Sequence, residues 1–264
     1  MKKVSIVTVN YNNREGLTQT IESVRRQTFN EYEYIVIDGG SDDGSKDILL
    51  RYSSMFSYWC SERDGGIYFG MNKGLEHASG DYVIFLNSGD RFVDSKVLER
   101  VFSNTDYTED LIVGRQLHIM KSGRRSKSRR IRSKEVNGMF FFGNTLPHQC
   151  TFIKVQLFSD LGGYDTDYKI VSDWIFWYRA VTERNATIRS VDTLISIMQP
   201  GGVSASTERR RSEVARFLMS RIDKFTEKDW REIVERCHRS YQLTCATRSG
   251  LGRLLVKIAK FINK

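Results

Sequence analysis

YVIFLNSGD, residues 82–90, is an apolar run that stops abruptly at four small or acidic residues. A short run rich in β-branched and aromatic residues predicts a strand buried on both faces, as in a parallel sheet. Ligands of open α/β sheets bind outside the carboxyl ends of such strands. A carboxylate at Asp90 is costly there unless it meets a cation, so the break predicts a binding site. The alternative is an ordinary strand-ending turn that leads into a helix N-cap.

The chain before this stretch alternates between strand and helix patterns. The predicted strands cover 4–9, 34–37 and 56–60, and the predicted helices cover 14–27, 46–52 and 71–77. This alternation predicts a βαβ architecture. Because parallel strands share a direction, the loops that carry Asp38, Asp64 and Asp90 should converge on one sheet edge. Such an edge can bind a base, a ribose and a metal-bound diphosphate. The glycine-rich motifs of P-loop ATPases and dinucleotide enzymes are missing from the sequence.

Composition limits the partners and the compartment. The 264 residues carry a formal net charge of +9, which favours an anionic partner such as a nucleotide, a nucleic acid or a membrane face. The four cysteines lack metal-ligand spacing and predict free thiols in a reducing cytosol. No apolar run approaches the roughly 18 residues of a membrane span. We expect a cytoplasmic protein, with peripheral association at the inner face of the cell membrane as a further option.

Four motifs within the first ninety residues resemble family 2 glycosyltransferases with the GT-A fold. They read VSIVTVNYN (4–12), VIDGGSDDGS (36–45), DGGIY (64–68) with MNKG (71–74), and GDYVIFLNSGD (80–90). The resemblance continues through PHQ (147–149), GGYD (162–165), SDW (172–174) and GGVS (201–204). It implies a Rossmann-like, mainly parallel sheet flanked by helices in a catalytic domain over 1–206. A helical extension over 207–264 would follow.

The resemblance also implies an activity and a set of site residues. Members of the family transfer a sugar, with inversion, from a nucleoside-diphosphate donor, and we expect a UDP-sugar. The acceptor would be a hydroxyl of a glycan or of a polyprenyl-diphosphate-linked saccharide in cell-surface polysaccharide synthesis. Asp173 is the candidate base, and its alternative role is that of a helix N-terminal Asp favoured by the dipole. The candidate donor-binding residues are Thr8, Asn10, Tyr11, Asp38, Asp64, Lys73, Asn87, Asp90 and His148.

The sequence departs from the family pattern at the metal motif. The family usually has Asp-x-Asp, whereas Asn87, Ser88 and Gly89 fill that slot and Asp90 is the single acid. A divalent metal, Mn²⁺ or Mg²⁺, is therefore expected at Asp90 alone. Two other acids of the pattern are replaced by Gly39 and Ser172, and Phe69-Gly70 stands where Asp-Ala is frequent. These changes indicate a specialised subgroup.

Four segments outside the nucleotide motifs have two interpretations each. Residues 201–204 are a lid over the donor or an exposed loop. Residues 121–134 hold eight cations and form either a solvated face or a surface that attracts an anionic acceptor. Residues 251–264 have the pattern of a basic amphipathic helix, which binds an anionic membrane or packs on the domain. The helical pattern over 207–245 covers the core or forms a homodimer surface.

Two other classes of protein compete with the enzyme. A non-catalytic sugar-nucleotide-binding protein is compatible with the altered metal motif. A basic nucleic-acid binder draws on the net charge, but the basic run lacks interleaved aromatic residues. We therefore expect no nucleic-acid partner.

Overall fold

The computed structural model describes residues 3–119, 123–142, 144–198 and 207–221. Several predicted features lie outside these ranges. They are the lid at 201–204, residues 121–122 of the basic run, the helical pattern beyond 221, the basic tail, and Cys237 and Cys245.

The described residues form nine strands and seven α-helices. The strands are β1 (Val4–Asn10), β2 (Tyr32–Asp38), β3 (Tyr58–Ser61), β4 (Tyr82–Phe85), β5 (Arg91–Phe92), β6 (Leu111–Ile119), β7 (Arg125–Lys127), β8 (Thr151–Lys154) and β9 (Ile188–Met198). The helices are α1 (Arg14–Arg25), α2 (Ser45–Arg51), α3 (Ile67–Glu76), α4 (Val97–Phe102), α5 (Val155–Leu161), α6 (Ser172–Glu183) and α7 (Thr207–Met219). Short 3₁₀ turns include one at His148–Cys150, directly before β8.

All nine strands belong to one sheet, which confirms the α/β class. Its order is β3-β2-β1-β4-β8-β6-β9-β5, with β7 paired to β6. The first four strands are parallel, as the βαβ pattern predicts. Beyond β4 the sheet is mixed, because β8 is antiparallel to both of its neighbours while β6 and β9 are parallel. The mainly parallel character therefore belongs to the half that carries the nucleotide motifs.

Helices cover both faces of the sheet. Successive strand side chains point to opposite faces, so Val7 on β1 joins one core while Ile6 joins the other. The core that contains Val7 is closed by α3, α5, α6 and α7, and the second core is closed by α1, α2 and α4. All four residues of β4 are buried, which confirms the prediction of a strand buried on both faces.

Helix α7 packs into the same core as α6. Ala215, Phe217 and Leu218 are buried there, and the Phe217 ring lies 5.8 Å from that of Trp174. The predicted division at residue 206 falls just before this helix. This packing groups α7 with α6, and the division at residue 206 stays a prediction.

Two composition-based expectations concern cysteines and membrane spans. Cys60 and Cys150 are free thiols, in agreement with the predicted reduced state. None of the helices in the described ranges is both long enough and apolar enough to span a bilayer.

Candidate active site

The loops that follow the parallel strands meet at one edge of the sheet, which confirms the predicted convergence. Nδ2 of Asn13, in the loop after β1, donates to the carbonyl oxygen of Ser88 after β4 at 3.0 Å. In the loop after β2, a Cβ on Gly39 would lie 3.2 Å from Oδ1 of Asp64, which follows β3. Glycine at position 39 is therefore what allows the Asp64 carboxylate to approach this backbone so closely.

Asp38, the last residue of β2, is fully buried and organises its own loop. Its carboxylate accepts hydrogen bonds from Oγ of Ser41 at 2.5 Å, Oγ of Ser61 at 2.6 Å and Nδ2 of Asn10 at 2.7 Å. Burial opposes ionisation, but these donors outweigh it and hold the pKa of Asp38 below its ordinary value. Asp38 and Asn10 thus shape the loop, and direct contact of either side chain with a donor stays a prediction.

Asp173 lies in the first turn of α6, where groups from distant parts of the chain converge on it. The Tyr68 hydroxyl, on α3, donates to Oδ1 at 2.9 Å. Nδ1 of His148 lies 3.3 Å from Oδ2, where an N–H at this nitrogen donates to the carboxylate. Nε2 of the same ring lies 3.4 Å from Nδ2 of Asn87. A chain of contacts therefore joins α3, α6 and the loop after β4.

The protonation of this chain follows from its surroundings. Burial lowers the pKa of His148, but the hydrogen bond to Asp173 and the charges of Asp173 and Asp90 outweigh it, so that the pKa is raised. Burial, together with the charge of Asp173, raises the pKa of the Tyr68 hydroxyl well above its ordinary value. Tyr68 therefore stays protonated and acts as a donor to the carboxylate.

Both interpretations of Asp173 describe part of its environment. Oδ1 of Asp173 accepts a hydrogen bond from the backbone nitrogen of Trp174 at 2.8 Å, as expected of an acidic residue in a first helical turn. The contacts with Tyr68 and His148 go beyond that role, because they come from other elements and fix both carboxylate oxygens. These contacts orient the carboxylate.

Asp90 forms the other side of the site. Its backbone nitrogen donates to the carbonyl oxygen of Asn87 at 2.8 Å, across a turn in which Gly89 has φ 100°. The strand therefore does end in a turn, although α4 begins only seven residues later. Burial raises the pKa of Asp90 to about 6, against the opposing charge of His148 and a hydrogen bond from Gln149. A partly buried carboxylate of this kind is well placed to receive a cation.

The residues around Asp90 fit a metal ion that is shared with a substrate. Oδ1 of Asn87 is buried and has no hydrogen-bond partner in the structure. In the described part of the chain, no three His, Cys, Asp or Glu side chains gather closely enough to hold an ion by themselves. Mg²⁺ is commonly bound by one or two carboxylates plus substrate phosphates. One carboxylate and one amide oxygen beside a diphosphate would meet that need.

Other predicted donor-binding residues lie at the rim or beneath the site. Tyr11 is 68% exposed in the loop after β1, and the exposed Asp64 accepts from the backbone nitrogen of Gly66 at 2.8 Å. Lys73 forms an ion pair with Glu62, so a diphosphate would have to compete with that carboxylate.

Thr8 is fully buried below the site, and its hydroxyl donates to the carbonyl oxygen of Leu86 at 2.7 Å. A direct contact of the Thr8 side chain with the donor stays a prediction. Two residues of the site are not among the candidates predicted from the sequence. Tyr68 and Gln149 both lie in motifs that carry the family resemblance, but only the fold shows that they contact Asp173 and Asp90.

Solved structures of glycosyltransferases share this fold. Residues 1–349 of TarS from S. aureus, in complex with UDP-GlcNAc, superpose with a TM-score of 0.71 at 18% identity, covering 98% of this chain and 81% of that chain. The mannosyltransferase PcManGT from Pyrobaculum calidifontis, in complex with GDP-Man and Mn²⁺, superposes with a TM-score of 0.64 at 15% identity. This match covers 99% of this chain and 75% of that chain. The fold is thus that of the GT-A glycosyltransferases.

Sequence comparison defines the family more narrowly. The model of glycosyl transferase family 2 matches residues 5–163. An uncharacterized glycosyltransferase of Mycobacterium tuberculosis is 36% identical over 188 residues, 67% of this chain and 68% of the relative. A PGL/p-HBAD biosynthesis glycosyltransferase of Mycobacterium bovis is 29% identical over 210 residues, which are 76% of this chain and 78% of the relative. The chain belongs to glycosyl transferase family 2 and is a glycosyltransferase, which argues against a non-catalytic binding protein.

Proposed function

We propose that this enzyme inverts the anomeric centre as it transfers a sugar from a nucleoside-diphosphate donor, with UDP the favoured nucleotide. The acceptor is a hydroxyl of a glycan or of a polyprenyl-diphosphate-linked saccharide. The observation that carries the proposal is the contact chain through His148, which joins the candidate base Asp173 to Asn87 in the loop of Asp90. The UDP and UDP-GlcNAc complexes of TarS support the choice of nucleotide.

In this mechanism the acceptor oxygen attacks the anomeric carbon from the side opposite the diphosphate. A new bond from carbon to oxygen forms as the bond to the diphosphate oxygen breaks, and the nucleoside diphosphate leaves with the electron pair. The acceptor proton passes to a carboxylate oxygen of Asp173, which Tyr68 and His148 orient.

A divalent metal, Mn²⁺ or Mg²⁺, would supply positive charge to the departing diphosphate. Asp90 would hold it, with the unpartnered Oδ1 of Asn87 as a further oxygen. The Mn²⁺ in the GDP-Man complex of PcManGT supports this part of the proposal. Tyr11 and Asp64, at the exposed rim, would face the base and ribose.

We further propose a role in cell-surface polysaccharide or glycolipid synthesis at the cytoplasmic face of the membrane. The M. bovis relative is named for PGL/p-HBAD biosynthesis, which supports a lipid-linked or surface glycan as the product. The net charge of +9 and the basic, amphipathic pattern of residues 251–264 support peripheral contact with anionic lipid. The helical pattern that continues beyond α7, over 222–245, would provide a dimer surface, because α7 itself packs into the core.

The experiment is a screen of UDP-, GDP- and dTDP-sugars for thermal stabilisation, with Mn²⁺ and with EDTA, followed by release of nucleoside diphosphate. Ligands that bind the native state raise its stability by mass action. We expect one class of UDP-sugar to stabilise the protein most, and to release UDP faster when acceptor lipids and glycans are added. Tight binding with no release under any acceptor would contradict the proposal.

A further inference from the structure

A carboxylate from helix α7 binds the backbone just before the candidate base. Oε1 of Glu213 accepts from the backbone nitrogen of Lys169 at 3.0 Å, and Oε2 accepts from those of Ile170 and Val171 at 2.9 and 3.2 Å. Val171 is the N-cap residue of α6 and makes no side-chain cap hydrogen bond. Glu213 therefore adds a second negative group, besides Asp173, at this helix N-terminus, where both the peptide dipoles and the three N–H donors favour it.

The same short segment is held from its other side by α3. The Tyr68 hydroxyl lies 2.9 Å from the carbonyl oxygen of Ile170 and 2.9 Å from Oδ1 of Asp173. The backbone of Ile170 thus contacts Glu213 through its nitrogen and Tyr68 through its oxygen. Nζ of Lys169 also reaches the carbonyl oxygen of Gly65 at 3.4 Å. The segment is a bridge between the DGGIY motif and α7.

Helix α7 itself is anchored firmly enough to act as a support. Its Phe217 ring lies 5.8 Å from the Trp174 ring and 5.7 Å from the Tyr178 ring, both on α6. Arg216 donates to the carbonyl oxygen of Asp167 at 2.7 Å and stacks over Tyr168 at 4.1 Å. Glu213 therefore projects from an element that is packed against the helix carrying Asp173.

We propose that Glu213 is a positioning residue for sugar transfer: it fixes the backbone two residues before Asp173, and with it the direction of the base toward the acceptor hydroxyl. This inference rests on the proposed function of Asp173. Glu213 is about forty residues from Asp173 in the sequence and lies outside the matched family segment. Misplacement of a catalytic group by about 1 Å can cost on the order of 10²-fold in rate.

The test compares Glu213→Ala and Glu213→Gln with Glu208→Gln, an exposed acid on the same helix. For each variant we would measure kcat and KM for UDP release from the UDP-sugar that wild type uses, the donor Kd by calorimetry, and the melting temperature. Rates are taken well below every melting temperature. We expect Glu213→Ala to lower kcat by roughly 10²-fold with the donor Kd unchanged. Glu213→Gln, which keeps one accepting oxygen, should fall between Glu213→Ala and wild type, and Glu208→Gln should match wild type.

Two results would overturn the positioning role. One is a kcat close to that of wild type in Glu213→Ala, or in Glu213→Gln if the alanine variant does not fold. The other is a parallel loss of kcat and donor affinity that follows the melting temperature, because that pattern reports general loosening. A wild-type enzyme that binds UDP-sugars but never releases UDP gives a third pattern. That pattern would refute the proposed function, and this inference with it.

Discussion

The proposed mechanism gives different roles to the carboxylates of Asp173 and Asp90, and their surroundings explain the difference. Asp173 is hydrogen-bonded at both oxygens, by Tyr68 and His148, which keeps it oriented as an acceptor. Asp90 is partly buried beside a turn, and its pKa is raised to about 6. The first arrangement suits a group that takes a proton in a defined direction. The second suits a group whose charge is compensated only when a cation binds.

The raised pKa of Asp90 predicts a pH-dependent cost to stability. The folded-state pKa of about 6 exceeds the ordinary value of 3.8, so the native state binds the extra proton between these values. The free energy of unfolding should therefore fall as pH rises from about 4 to 6 and then stay low. Two pKa units correspond to about 3 kcal/mol. In EDTA at pH 7, Asp90→Asn should be more stable than wild type by up to that amount.

Urea unfolding at pH 4.5 and pH 7 measures this difference. The exposed Asp81→Asn serves as the control and should leave the pH dependence unchanged. An Asp90→Asn variant that is less stable than wild type at pH 7 in EDTA would show that the carboxylate is already compensated within the protein.

At the scale of elements, the parallel half of the sheet depends on close contact between α3 and β1. A Cβ on Gly74 would overlap Cγ1 of Val7, so alanine at this position overpacks the core. We expect Gly74→Ala to lower the free energy of unfolding by about 1–3 kcal/mol. Glu76→Ala, exposed on the same helix, should change it by less than about 0.5 kcal/mol.

The combination of Gly74→Ala with Val7→Ala tests the contact itself. Removing the Val7 methyl groups makes room for the new Cβ, so the double variant should lose less stability than the two single variants together. Strict additivity, measured by urea unfolding, would show that the two residues do not limit the approach of α3 to β1.

The elements that the sequence predicts are those with a simple hydrophobic pattern. Strands β1, β2 and β4 are short apolar runs, and their predicted bounds agree with the structure within about two residues. Strand β9 mixes exposed and buried positions and pairs with β6 through register shifts, so no period-2 pattern marks it. Strand β5 has two residues, which is too short for any pattern.

The candidate site likewise has residues that the sequence predicts and contacts that it does not. The motifs predict Asp90, His148 and Asp173 as separate candidates, because each follows or precedes a recognisable strand or helix. The contact between His148 and Asp173 depends on a 3₁₀ turn and a helix that meet only in the tertiary structure. The role of Glu213 could not be predicted, because nothing in its local sequence points to the backbone nitrogens that it binds.

At the scale of the whole molecule, the proposed membrane contact depends on charge and on the C-terminal tail. The sequence there places Arg253, Lys257, Lys260 and Lys264 among apolar residues at helical spacing. Deleting residues 248–264 should reduce sedimentation with vesicles that contain anionic lipid, because each basic residue near such a surface contributes about 1 kcal/mol. Neutral vesicles are the control, and undiminished binding to anionic vesicles would place the contact elsewhere.

The central claim is that one molecule both holds a sugar nucleotide and uses Asp173 to deprotonate the acceptor. The most direct measurement is the donor Kd and the rate of UDP release for Asp173→Asn, beside wild type and the exposed-site control Asp160→Asn. We predict an unchanged donor Kd and a loss of release of about 10²- to 10⁴-fold in Asp173→Asn alone. Wild-type rates in Asp173→Asn with a donor that binds normally would contradict the account.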